Sequence, residues 1–293
     1  MIWFALASLS AILSAAAAIT QKKILFRINA LEFSFLVSIL ILAMSSFVPI
    51  FVDVMSIPTP VLLFVLGKSI LGGTAFLLVM MALQHNQISD ALPLLGLTPA
   101  VTALAALLLI GESLRDWEWL GIGMMVAGTY ILERKPFAPV LQPIREIFLS
   151  RNRYYIFGAL GLFAISSVAD KMLVSGYKID PLALLFYQHI IYGLLFGALL
   201  LVRSSSFGAV MQKSREHFPL ILVVAVLTIA YRVAQLEATK IAPVALVLAV
   251  KRTSILYASF FGGRLFSDER LPMKLCAGAI IVAAGFFILR NVG

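Results

Sequence analysis

Four basic side chains lie inside long apolar stretches of the sequence: Lys68, Arg232 and the adjacent pair Lys251 and Arg252. A charge at the centre of a lipid bilayer costs about 2.5–3.5 kcal/mol on insertion scales, so such residues normally face a protein interior or a water-filled cavity. Lys supplies a compact point charge and Arg a planar fork of donors, a combination that suits carboxylate or phosphate. These four residues are therefore the candidate anion-binding cations.

The acidic residues lie almost wholly at the ends of the apolar stretches, so no carboxylate is expected at the middle of one. Cations without a countercharge in a low dielectric attract anions strongly, and the sequence therefore predicts a basic cavity. Two of the four cations have an alternative interpretation. Lys68 could extend its ammonium to a membrane interface, and Arg232 could form a structural pair with Glu237.

Further candidate substrate-binding side chains are Tyr187, Gln188 and Tyr192, which lie together in one apolar stretch. Gln188 and Tyr192 are four residues apart and share a helix face. Pro93 and Pro99 predict a helix break that frees backbone carbonyls. The three scattered histidines and the single cysteine form no metal-ligand pattern, so neither a metal nor a cofactor is expected.

The elements that carry these residues must be membrane-spanning helices. The chain has 293 residues, of which 61% are hydrophobic and 13% charged, and its mean hydropathy is +1.02. A soluble domain has about 45–50% apolar and about 25% charged residues. A span needs roughly 20 apolar residues, and ten such runs occur, at about 1–20, 31–52, 60–83, 90–111, 117–132, 154–174, 181–202, 218–238, 242–265 and 272–290. This composition excludes a soluble enzyme, a secreted disulfide scaffold and a nucleic-acid binder.

The ten runs divide into two related halves. Gly121 and Gly128 follow Glu112 by nine and sixteen residues, and Gly278 and Gly285 follow Glu269 by the same intervals. A basic polar linker, residues 134–153, separates a first five-helix repeat at 1–133 from a second at 154–293. Because each repeat has an odd number of helices, the second enters the membrane in the opposite sense, and inverted repeats place a binding site near the midplane.

This pattern resembles the drug/metabolite transporter superfamily of EamA type. The resemblance is carried by Thr98-Pro99, by Gly111-Glu112 with the glycines that follow, and by their counterparts in the second half. It implies an all-α integral membrane protein of ten helices that moves small molecules across the cell (inner) membrane. Val250-Lys251-Arg252 also resembles a segment of sugar-phosphate translocators and nucleotide-sugar carriers, which implies a grip on an anionic group.

The expected function is therefore secondary transport of a small anionic or carboxylate-bearing metabolite by alternating access. The alternatives are export of amino acids or other zwitterionic metabolites and, from another class, a membrane enzyme acting on lipid-linked phosphates. The expected partners are the substrate and membrane lipid, without nucleic acid, and the sequence leaves monomer and homodimer open. The loops after odd-numbered runs carry most of the loop Lys and Arg residues, which favours both termini outside, whereas the resemblance favours termini inside.

Overall fold

The computed structural model describes residues 2–85, 93–133, 153–203, 207–254 and 257. Every regular element in these residues is helical. The α-helices are α1 (Ile2–Leu25), α2 (Ala30–Ser45), α3 (Val48–Phe51), α4 (Thr59–His85), α5 (Thr98–Ile110), α6 (Asp116–Glu133), α7 (Arg153–Lys171), α8 (Pro181–Val202), α9 (Phe207–Ile241) and α10 (Val244–Arg252). A 3₁₀ helix, Pro93–Leu97, precedes α5, and a π-helical segment, Met172–Gly176, continues α7.

The described helices have the length and surface of membrane spans. Six helical segments are long and apolar enough to cross a bilayer, with α2 and α3 forming one of them. Their outward faces carry large exposed apolar side chains such as Leu63 and Leu194, which suits contact with lipid. The prediction of an all-α membrane protein is confirmed. The predicted tenth span at 272–290, linker residues 134–152, and Glu269, Gly278 and Gly285 lie outside the described residues.

Helix α9 is longer than the eighth predicted apolar run. That run was expected at about 218–238, after a polar loop, but α9 already begins at Phe207 and ends at Ile241, with Pro219 inside it. The added residues are mostly good helix formers such as Gln, Lys, Arg and Glu. Lys213 of this extension forms an ion pair of 3.0 Å with Glu32 of α2. The polar stretch is therefore a helical continuation that lies against the first half.

The main helix packing joins the two halves of the chain. α1 packs against α9 and α10, α2 against α8 and α9, α4 against α7 and α8, and α5 against α7 and α10. This set of contacts is symmetric between the halves. When α1 is exchanged with α7, α2 with α8, α4 with α9 and α5 with α10, every contact in the set becomes a contact that is also in the set. The space between the halves is thus enclosed by helices from both.

Small residues allow one of these contacts to be close. A Cβ atom added at Gly72 of α4 would lie 2.6 Å from the hydroxyl of Tyr192 and 3.0 Å from Oγ of Ser166. A Cβ added at Gly73 would lie 3.0 Å from the Tyr192 ring. The ring of Tyr192 therefore packs directly on the backbone of α4, and these glycines fix its position between the halves.

Candidate functional site

A cavity of about 160 Å³ lies between the two halves. The first half contributes residues of α1, α2, α4 and the 3₁₀ helix that precedes α5 to its wall. The second half contributes residues of α7, α8, α9 and α10. Five of the predicted site residues line it: Gln188, Tyr192, Arg232, Lys251 and Arg252. The structure therefore brings together side chains that are more than 60 residues apart in the sequence.

One wall of the cavity is an ion-pair network centred on Asp170 of α7. Lys68 Nζ lies 2.7 Å from Asp170 Oδ1, and Arg232 Nη2 lies 2.6 Å from Asp170 Oδ2. The amide oxygen of Gln188 accepts hydrogen bonds from both cations, at 3.1 Å from Arg232 Nη2. The side chain of Lys68 is 0% exposed and that of Asp170 is 2% exposed. Three helices, α4, α7 and α9, thus meet at one carboxylate.

This network corrects two expectations. Lys68 does not extend to a membrane interface, because its ammonium is fully buried against Asp170 and is not part of the cavity lining. Arg232 pairs with Asp170 and not with Glu237, which instead pairs with Lys240 at 3.0 Å. The expectation of cations without countercharge is therefore wrong for Lys68 and Arg232.

The physical reason is the packing of the helices. Asp170 lies four residues before the end of its predicted run at 174, and the π-helical segment extends the helix only to Gly176. The side chain is nevertheless buried inside the bundle, because α4 and α9 pack against α7 and bring Lys68 and Arg232 to it. A charge in that position is retained only with close partners, and the two cations are those partners.

Lys251 and Arg252 have neutral partners. Lys251 Nζ donates to Oε1 of Gln235 at 2.5 Å and lies 4.5 Å from the centre of the Tyr231 ring. Arg252 Nη2 donates to Oγ1 of Thr98 at 2.9 Å. Among the described residues, no carboxylate lies within ion-pair distance of either cation. The buried Nε of Arg252 also has no hydrogen-bond partner among those residues.

Adjacent positions on a helix diverge by about 100°, and the structure shows where the two heads go. Lys251 extends toward α9, whereas Arg252 extends toward the start of α5. Both side chains still contribute to the cavity wall. The pair thus places one cationic group beside α9 and the other beside the start of α5, and both border the cavity.

Tyr187 does not belong to this site. Its hydroxyl donates to the backbone carbonyl of Val54 at 2.9 Å, and it is absent from the cavity lining. Gln188 and Tyr192 occupy the opposite, inward face of α8, as their four-residue spacing predicts. His189 lies beside them, with Nδ1 2.9 Å from the carbonyl oxygen of Leu185 and its ring against Tyr192.

The two prolines lie where the backbone changes from one helix type to another. Pro93 begins the 3₁₀ helix, and Pro99 lies in the first turn of α5. Pro99 does not line the cavity, whereas Leu95 does. Thr98 at the junction donates to the carbonyl of Leu95 at 2.6 Å and accepts from Arg252. The change from 3₁₀ to α-helix thus positions the acceptor for Arg252.

Sequence reasoning missed Thr98, Gln235 and Tyr231 as partners of the basic pair. A signal for two of them was present, since Thr228, Tyr231, Arg232 and Gln235 recur at helical spacing and share one face of α9. All four line the cavity. Thr98 is marked only by the family resemblance, and no local pattern predicts its contact with Arg252, because that contact depends on α5 meeting α10.

The cavity offers charged and neutral polar groups and the aromatic rings of Phe76, Phe163, Tyr192 and Tyr231. Within the described residues, the His, Cys, Asp and Glu side chains form no group of three or more that could hold a metal ion. The arrangement can bind and orient a small charged molecule.

Comparison with known proteins places the chain among membrane transporters. Residues 1–134 and 153–291 match the model of the EamA-like transporter family. No curated protein matches the chain significantly. Among 28 matching chains of solved structures is one titled "Crystal structure of protein", with a TM-score of 0.63 and 17% sequence identity over 96% of each chain. That similarity concerns the fold alone.

Proposed function

We propose, from the premise that the chain belongs to the EamA-like transporter family, that it carries a small anionic or carboxylate-bearing metabolite by alternating access. Membership of the family makes the chain an integral membrane transporter of small molecules and not an enzyme. The observation that carries the proposal for the substrate is the pair Lys251 and Arg252, which line the cavity and have neutral partners.

The charge balance of the cavity supports an anion. Among the described residues that line the cavity, three are Lys or Arg, and Asp170 supplies a carboxylate. That carboxylate is already shared by Lys68 and Arg232. Coulomb attraction between unit charges grows as the dielectric falls. A bound anion would therefore be attracted to the part of the wall formed by Lys251 and Arg252.

The present partners of the basic pair are suited to exchange for a substrate. Gln235 and Thr98 are neutral acceptors, so their hydrogen bonds to Lys251 and Arg252 are charge-assisted only through the donor. Arg252 additionally has a buried Nε without a partner among the described residues. A carboxylate or phosphate would satisfy that donor and add the Coulomb attraction of an opposite charge.

The packing of the halves supports alternating access. The cavity lies where helices of both halves meet, and the main pairings map onto one another when the halves are exchanged. Two inverted five-helix repeats that rock about a midplane cavity would produce this arrangement. The proposed location is the cell (inner) membrane.

A second candidate is transport of a zwitterion such as an amino acid. Asp170 lines the cavity together with Lys251 and Arg252, so one wall offers a carboxylate and another offers cations. A zwitterion would place its carboxylate at the basic pair and its ammonium near Asp170. Transport of a zwitterion and transport of an anion would both use the basic pair. Only the zwitterion would also need the carboxylate of Asp170.

A stabilisation screen on the purified protein tests the proposal. Inorganic phosphate, succinate, alanine and tetraphenylphosphonium are compared for the rise in unfolding temperature that each produces. A ligand at 100 times its Kd stabilises the folded state by about 2.7 kcal/mol. We expect phosphate or succinate to stabilise the protein most, whereas a larger shift with alanine would favour the zwitterion.

Matched variants show whether the effect arises at the proposed site. Lys251→Ala and Arg252→Ala should abolish the shift produced by the anions. Lys240→Ala removes the same charge from a partly exposed pair on α9 and should leave the shift unchanged. Stabilisation by tetraphenylphosphonium alone, or an anion shift that persists in both site variants, would refute the proposed substrate class.

A further inference from the structure

Glu112 lies next to a turn that ends α5. The backbone at Gly111 has a φ of 67°, a left-handed conformation that favours glycine. Immediately after this turn, Oε2 of Glu112 accepts a hydrogen bond from the backbone N–H of Val244 at 3.0 Å. Val244 is the first residue of α10, whose first N–H groups have no partner within the helix. A side chain of the first half therefore caps the helix that carries Lys251 and Arg252.

Lys171 contacts the end of α9, on the other side of the short turn that joins α9 to α10. Its ammonium donates to the backbone carbonyls of Thr239 and Ala242, each at 2.9 Å, where α9 ends. It also lies 3.8 Å from Oε1 of Glu112. The last carbonyls of a helix lack partners within the helix, and a cation there is favourable. Glu112 and Lys171 thus satisfy the end of α9 and the start of α10 together.

We propose that Glu112 and Lys171 are positioning residues. They fix the α9–α10 turn relative to α5, and thereby the positions of the cations of α9 and α10 in the cavity wall. Neither side chain lines the cavity. They act through the α9–α10 turn, which separates Arg232 from Lys251. Their side chains are only 14% and 17% exposed, so the contact is more sheltered than a surface ion pair. The proposal does not depend on the chemistry of the transported molecule.

A similar anchor occurs in the first half of the chain. Lys22 of α1 donates to the backbone carbonyl of Leu83 near the end of α4, at 2.5 Å. Lys22 directly follows the cavity residue Gln21, just as Lys171 directly follows the cavity residue Asp170. In both halves, a lysine next to a cavity residue holds the C-terminal end of the helix that forms the third span. The recurrence indicates that this anchoring belongs to the repeat.

The distance between α5 and the α9–α10 turn reports directly on the proposed role. Spin labels on Leu109→Cys and Ile241→Cys, in a Cys276→Ser background, are measured by pulsed electron paramagnetic resonance without ligand. Both native side chains are 60% exposed, so the labels have room. In the background protein we expect a single narrow distance distribution.

The test variants remove each contact. Glu112→Ala and Lys171→Met should broaden the distribution or shift its mean by about 1–2 Å, the scale of helix shifts at interfaces. Glu112→Gln keeps an acceptor for Val244 and should shift it less. Lys171→Arg keeps both charge and donors and should preserve the narrow distribution. If Glu112→Ala does not fold, Glu112→Gln and Lys171→Met carry the test.

Three further variants separate capping from a plain ion pair. Glu237→Gln and Lys240→Met break a pair of 3.0 Å within α9 alone, so the distance should not change. The exchange Glu112→Lys with Lys171→Glu should fail to restore the narrow distribution, because a carboxylate cannot donate to the carbonyls of Thr239 and Ala242. Restoration by this exchange would overturn the proposal.

A lowered unfolding temperature with an unchanged distance in Glu112→Ala and Lys171→Met would also overturn the proposal, since a merely stabilising contact gives that result. Because the measurement uses no ligand, its failure would leave the proposed substrate class untouched. A negative ligand screen would equally leave the distances valid.

Discussion

Replacing Asp170 with Asn should be among the most destabilising single changes in the cavity wall. The amide matches the carboxylate in shape but carries no charge. Lys68 and Arg232, at 2.7 and 2.6 Å from the carboxylate oxygens, would then share a buried site whose acceptors are neutral: the amide oxygen of the new side chain and that of Gln188. The change leaves two like charges close together.

The expected cost follows from the burial of the group. Removing one partner of a buried ion pair costs about 3–5 kcal/mol because an uncompensated charge remains. At about 2–4 °C per kcal/mol for a chain of this order of size, the unfolding temperature should fall by about 6–20 °C. Lys68→Met should cost less, about 1.5–3 kcal/mol, because Asp170 still has Arg232 as a partner.

Thermal unfolding in detergent, followed by the fluorescence of the three tryptophans, measures these differences. The double variant Lys68→Met with Asp170→Asn completes a double-mutant cycle. We expect its loss to be smaller than the sum of the single losses by about 0.5–3 kcal/mol. Glu32→Gln is the matched control, because Glu32 pairs with Lys213, whose side chain is 46% exposed, and such a pair contributes at most about 1 kcal/mol.

Two results would refute this reasoning. One is an Asp170→Asn protein that unfolds within about 2 °C of the unmodified chain, which would mean that the carboxylate does not compensate the cations. The other is strict additivity in the cycle, which would mean that Lys68 and Asp170 do not interact energetically.

Three further predictions concern single contacts. Arg252→Lys keeps the charge but loses the fork of donors, so the concentration of the most stabilising anion needed for half the thermal shift should rise about tenfold, about 1.4 kcal/mol; an unchanged titration would exclude a forked contact. Gly72→Ala should lower stability by about 1–3 kcal/mol through overpacking, and Tyr192→Phe should recover most of that loss in thermal unfolding, because the closest clash is with the tyrosine hydroxyl at 2.6 Å. Asn29→Ala removes the side-chain cap of α2, whose Oδ1 accepts from the backbone N–H of Leu31 at 3.0 Å, and should cost about 1 kcal/mol, whereas Asn29→Asp should retain the stability.

Local sequence properties predicted most of the helices. Apolar runs of roughly 20 residues mark spans because the bilayer has a fixed thickness, and this signal requires no knowledge of which helices touch. The boundaries were less predictable. The extension of α9 back to Phe207 lies in a mostly polar segment, where helix propensity and packing decide the boundary and hydropathy does not.

The site was predictable in its members but not in their partners. Lys251 and Arg252 stand out in any reading of the sequence, because charges within apolar runs are costly and therefore informative. Their acceptors are Gln235 on α9, which is 16 residues away in the chain, and Thr98, which is 154 residues away. Periodicity marks the polar face of α9, but it does not say which helix that face meets.

By itself, the sequence determined that the chain is an all-helical membrane protein in two related halves with cations inside its spans, because hydropathy and spacing are properties of contiguous residues. Only the tertiary structure decided which cations are compensated. Lys68, Asp170 and Arg232 come from α4, α7 and α9 and meet at 2.6–2.7 Å, whereas Lys251 and Arg252 meet neutral acceptors. Electrostatic compensation depends on distances of a few ångströms, and those distances are set by how the two halves pack.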